Sequence, residues 1–158
     1  MCREPKATIT PEQRVRINAV LDYWYGAGVE RNVLNEAWFP KWFGFSEEID
    51  DEVKDNFMGD YENYTIGEYS GWVNDRDGRL AAILITDQFS RQLFRKQAKA
   101  FDTDKLALNL ALKAMRSEDW ANYATFEKFF ILMVLMHQEN GKYTRMQITE
   151  SMKLDREN

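Results

Sequence analysis

An all-α fold follows from three features of this 158-residue sequence. Three prolines and eight glycines leave long stretches without a helix breaker. Apolar residues recur at helical spacing, most clearly at Phe126, Phe129, Phe130, Met133, Val134 and then His137. Strict alternation of apolar and polar residues, the signature of a half-buried strand, is missing.

The elements follow in order. In "TPEQ", Thr10 is placed to cap a first helix, Pro11 suits its first position, Gln13 completes a capping box and Gly26 closes it. Pro40 interrupts "NEAWFPKWFGFSEE", where Trp38, Phe39, Trp42 and Phe43 cluster. Ser46 caps a helix with Ile49, Val53 and Phe57 at every fourth position, continuing through Tyr61 and Tyr64 towards Trp72. "NDRDG" at 74–78 reads as a turn. A helix from about Leu80 to Arg95 comes next. Asp102 or Thr103 caps another, with Leu106, Leu110 and Ala114 as its stripe, and a last helix runs from Ala124 to Met136.

Length and composition bound the class. One helical domain is expected over residues 8–142, followed by a polar tail, 143–158, that frays or binds a partner. The formal net charge of −5 argues against nucleic acid as partner, since phosphate neutralisation needs excess Lys and Arg. Cys2 is the single cysteine, which excludes an internal disulfide and fits a reducing compartment. One Cys and one His cannot build a Cys/His zinc site, and neither metal nor cofactor is expected. The longest apolar run, "FFILMVLM", is too short for a membrane span, and "MCREPKATITPEQ" has no secretory apolar region, so a soluble, cytoplasmic protein is expected.

The chemistry-bearing stretch is "RLAAILITDQFSRQLFR", residues 79–95. At about 100° per residue, Leu80, Ile83, Leu84, Asp87, Arg91, Phe94 and Arg95 share one face, with Ala82, Ile85, Phe89 and Leu93 opposite. Such a helix is sandwiched between others, and Asp87 and Arg91 reach each other at i,i+4. A structural ion pair is one reading. The other is a pocket in which Arg91 and Arg95 hold a small anion, Asp87 orients them, and His137 and Glu139 supply a general base. Two arginines and one acid leave a buried positive charge, which either a further acid, Glu127 or Glu139, or a ligand must answer. Trp24, Trp38, Trp42, Trp72 and Phe89 are the aromatic lining of such a pocket, or core.

The order "LDYWYG", "WF", "LAAILITDQFSRQLFR", "AFDTD" and "MHQE" resembles the uncharacterised domain-of-unknown-function family 924 over roughly residues 17 to 140. Asp87, Gln88, Phe89, Arg91 and Arg95 match its central block, with Ser90 in place of a proline and Gln92 of an asparagine. His137 and Glu139 match its H-x-E, and Trp24, Trp72, Phe101 and Asp104 also match. The resemblance implies a tetratricopeptide-repeat-like array of antiparallel helices and no established activity. The family's further C-terminal block has no counterpart in "QITESMKLDREN". A helical interaction or assembly subunit is therefore the leading expectation, with a protein partner or second copy covering the helix around Phe130–Met136. The alternative is a small-molecule site or enzyme built on Asp87, Arg91, Arg95, His137 and Glu139.

Overall fold

The computed structural model describes residues 7–138. Glu139, the domain boundary at 142 and the tail over 143–158 lie outside the described residues. Every regular element among the described residues is helical, as the periodicity predicts, and none of these helices is long and apolar enough to cross a membrane.

Helix α1 (Pro11–Tyr25) begins where Thr10 Oγ1 accepts the Gln13 N–H at 3.1 Å. Gln13 does not close a capping box. Its side chain donates to the Glu68 carbonyl and accepts from Trp72 Nε1, both at 3.2 Å. The last carbonyls of a helix have no intrahelical donor. Here three of them are answered by one segment, a 3-10 turn (Glu36–Trp38) leading into the short α2 (Phe39–Phe43). Trp38 Nε1 donates to the Tyr25 carbonyl at 2.7 Å, Trp42 Nε1 to that of Trp24 at 3.1 Å, and Lys41 Nζ to that of Tyr23. Trp38 and Trp42 stack at 4.4 Å. The aromatic cluster is thus the cap of α1, and its two indoles are core residues.

Ser46 caps α3 (Glu47–Thr65) as expected, accepting the Ile49 N–H at 3.4 Å. The helix does not continue to Trp72, which lies in a separate 3-10 turn, Ser70–Asn74, stacked on Tyr69 at 4.1 Å. The "NDRDG" stretch is a helix start rather than a turn. Asp75 accepts the Gly78 N–H at 2.8 Å and caps α4 (Arg76–Ile83), while Arg14 pairs with the same carboxylate through two bonds of 2.9 Å. Glycine is required at 78 because a Cβ would sit 2.8 Å from the Trp72 carbonyl oxygen.

From α4 the chain passes through a π-helical segment (Leu84–Phe89) into α5 (Ser90–Leu93). Residues 78–87 are all buried, packed against α1, α6 (Asp104–Arg116) and α7 (Thr125–Met136). The expected sandwiching of this helix is observed. The helix stops at Leu93, two residues short of Arg95, where Phe94 leaves helical geometry at φ −126°, ψ 37°.

On α6 the buried stripe is Ala107, Leu110, Ala111 and Ala114, and Leu106 faces solvent. Alanines make the close approach to α4 and α7 possible, so the stripe is centred on them rather than on the leucines. On α7, Phe130, Ile131, Leu132, Val134 and Leu135 are buried within this one chain, and Met136 is exposed. Glu127 answers Arg31 Nη1 at 2.9 Å, Arg76 Nη2 at 2.7 Å and the Ala124 N–H at 2.7 Å. It is not the acid that completes the central arginines.

Trp38→Phe keeps the ring stack and deletes only the donor to the Tyr25 carbonyl. A buried carbonyl left without its partner costs about 1–3 kcal/mol. Thermal melts should show that loss. An unchanged midpoint would mean that the cap contributes only ring packing.

Candidate acid–base site

The site forms where the π-helical segment meets the ends of α6 and α7. In a π turn the N–H of residue i+5 takes the carbonyl of residue i, and here the Ser90 N–H goes to the Ile85 carbonyl. The Thr86 carbonyl that this bypasses is occupied by hydroxyls instead, Ser90 Oγ at 3.0 Å and Thr103 Oγ1 at 2.6 Å. Thr103 thereby fixes the start of α6 against the π segment. It holds the N-cap position of α6 without capping through its side chain.

Asp87 sits on this segment with 1% of its side chain exposed. A carboxylate there needs donors on every side. Arg91 Nη1 reaches its Oδ1 at 3.0 Å and its backbone carbonyl at 2.6 Å, and Gln88 Nε2 reaches Oδ2 at 3.2 Å. His137, in the turn that closes α7, brings Nδ1 to 2.8 Å from Oδ1. A carboxylate can only accept here, so Nδ1 is the donor of this contact, and in the neutral imidazole that leaves the lone pair on Nε2. The His137 side chain is 27% exposed, so solvent reaches it.

The fourth member is Asp104, the first residue of α6, whose carboxylate lies 3.3 Å from Arg91 Nη2. Its Oδ1 is buried and makes no hydrogen bond. Burial pushes the Asp104 carboxyl above the ordinary carboxylate range; Arg91 opposes the shift and nearby Asp87 adds to it. Phe101 lies against the Arg91 guanidinium at 5.4 Å and leaves 59% of its own surface exposed.

Of the five residues expected in the pocket, the structure brings three together, Asp87, Arg91 and His137. Arg95 is not with them. Beyond the end of α5 it turns to Asp50 on α3, with bonds of 2.5 and 2.9 Å, and rests on the Phe45 ring at 4.7 Å. A helical wheel carried through to 95 could not show this, because the π segment and the stop at Leu93 both change the register. Each arginine has its own acid, Asp104 for Arg91 and Asp50 for Arg95, so the expected unpaired positive charge does not exist. The aromatic set is core as well. Trp24 lies at 5.8 Å from Phe89 and 6.0 Å from Trp42, while Trp72 pairs with Tyr69. Sequence reasoning left Asp104 out of the site although it stands in the quoted "AFDTD". It directly follows the cap candidates Asp102 and Thr103, and nothing in that stretch alone points to Arg91.

Residues 20–158 match the family described as "Bacterial protein of unknown function (DUF924)". The chain belongs to this family. Among solved structures it is similar to that of ATU0120, a protein of unknown function from Agrobacterium tumefaciens, at a TM-score of 0.77 and 24% identity over 89% of this chain and 74% of the other. That likeness shows the fold. No curated protein matches the DUF924 chain.

The direction of the Asp104 shift fixes a pH dependence. A carboxyl whose folded-state value lies above its unfolded one adds stability below the unfolded value, and the contribution is lost as pH rises through the folded value. Asp104→Asn carries no charge to lose. Its melting temperature relative to the parent should therefore rise from acid to neutral pH. A relative fall over that range would mean that the Arg91 pair outweighs burial.

Proposed function

We propose that this DUF924 protein binds a small molecule beside Asp87, Arg91, Asp104 and His137 and performs acid–base chemistry on it, with His137 Nε2 as the base. The observation that carries this reading is the contact of 2.8 Å between the nearly inaccessible Asp87 carboxylate and Nδ1 of a solvent-reached imidazole. A purely structural histidine gains nothing from exposure. A base needs its orienting acid buried and its working nitrogen open. Asp87 sets the tautomer, and Arg91 bridges Asp87 and Asp104. The helices that carry these groups we read as a tetratricopeptide-repeat-like array, a reading supported by the packing of α4 against α1, α6 and α7.

His137 is the only histidine in the chain, so its ring signals need no assignment. Nitrogen-15 spectra of the neutral imidazole should show the Nδ1–H form in the parent and a tautomer mixture in Asp87→Asn. Acylation of Nε2 by diethyl pyrocarbonate should slow several-fold in the same variant. A mixed tautomer in the parent would defeat the proposal.

One observation favours an interaction role in addition. Phe39, Phe43 and Phe45 expose 39, 60 and 61% of their surface, and Phe39 and Phe43 are in ring contact at 5.8 Å. Exposed aromatic clusters of this kind mark association surfaces. Sedimentation of the parent against Phe43→Ser tests it: association should be present at high concentration and weakened in the variant. A monomeric parent would count against self-association through this surface.

A further inference from the structure

We infer that the ligand of the His137 site is an organic ammonium, a small molecule carrying a primary amine, rather than the small anion that the arginine-rich sequence invites. This rests on the acid–base reading above and goes beyond it by fixing the ligand's charge and hydrogen-bonding character.

The first ground is that Arg91 has no role left as an anion clamp. Nη1 is engaged by the Asp87 carbonyl at 2.6 Å and its Oδ1 at 3.0 Å, and Nη2 lies 3.3 and 3.4 Å from the two Asp104 oxygens. Arg95, the other cation of the block, is held by Asp50. A phosphate or carboxylate approaching Arg91 would meet a guanidinium already flanked by two carboxylates, Asp87 at 3.0 Å and Asp104 at 3.3 Å. The second ground is charge. Two carboxylates face one guanidinium, so with a neutral imidazole the cluster carries one net negative charge, and a cation entering it is attracted. The third is hydrogen-bonding character. In this cluster the buried Asp104 Oδ1, an acceptor, makes no hydrogen bond, and none is seen to His137 Nε2 among the described residues. An ammonium brings three donors and no acceptor. Phe101, with more than half its surface free, adds a ring face of the kind that attracts cations.

The chemistry follows from the same geometry. The ammonium N–H donates to Nε2, the proton passes to the imidazole, and the nitrogen keeps the electron pair of the broken bond. The positive charge moves from ligand to ring, where Asp87 already faces Nδ1. The product is a neutral amine with its lone pair exposed.

The single imidazole again serves as the reporter. Carbon–proton spectra of His137 would be recorded with ethylammonium, acetate and inorganic phosphate in turn, at matched pH and ionic strength, because exposed charges are screened by salt. Ethylammonium should shift the ring signals saturably and the two anions should not. Asp104→Asn should weaken the ethylammonium response several-fold, with its own melt showing that it is folded. A saturable response to phosphate or acetate, or none to any of the three in the parent, overturns the inference. An Nδ1–H tautomer without an ammonium response would sink the ligand class alone, whereas a mixed tautomer would remove the base itself.

Discussion

A carboxylate buried in the middle of a helix that is itself buried on all sides is the constraint on which the rest of this structure depends. Asp87 cannot reach water, so its oxygens must be met by protein donors. Those donors come from two places: Arg91 and Gln88 on its own helix and His137 at the far end of α7. Arg91 in turn draws in Asp104 from the start of α6. Satisfying one acid therefore fixes how three helices converge, and the point of convergence is the site.

The π-helical segment is what makes that convergence geometrically possible. Widening one turn of the helix frees the Thr86 carbonyl, and the hydroxyls of Ser90 and Thr103 take it. The same irregularity that would weaken an ordinary helix here becomes an attachment point for α6. Single π turns are often found at functional sites for this reason, since they place side chains where a regular helix would not.

Charge pairing elsewhere follows a consistent economy. Asp75 serves as the cap of α4 and the partner of Arg14; Glu127 joins Arg31, Arg76 and the start of α7; Asp60 binds Arg16 and Tyr69 together. Burial pushes the Glu127 carboxyl up, yet its hydrogen bonds from Arg76, Ala124 and Arg31 hold it below the ordinary range. Asp104 has weaker partners and moves the other way. The contrast separates a carboxylate built into the frame from one left available at the edge of a site.

The sequence alone determined the helical class, the caps at Thr10 and Ser46, the burial of the stretch around Leu84, and the pairing of Asp87 with Arg91, because each depends on residues within a few positions of one another. It could also point to His137, through the stripe that the histidine ends. Only the tertiary structure decided which acid answers which arginine, that His137 turns Nδ1 to Asp87, and that Trp38 and Trp42 cap α1. Asp104, Asp50 and the α1 carbonyls are distant in sequence from the groups that they bind. Their pairing depends on where the helix departs from its regular period, and neither the π segment nor the stop at Leu93 leaves a trace in a helical wheel.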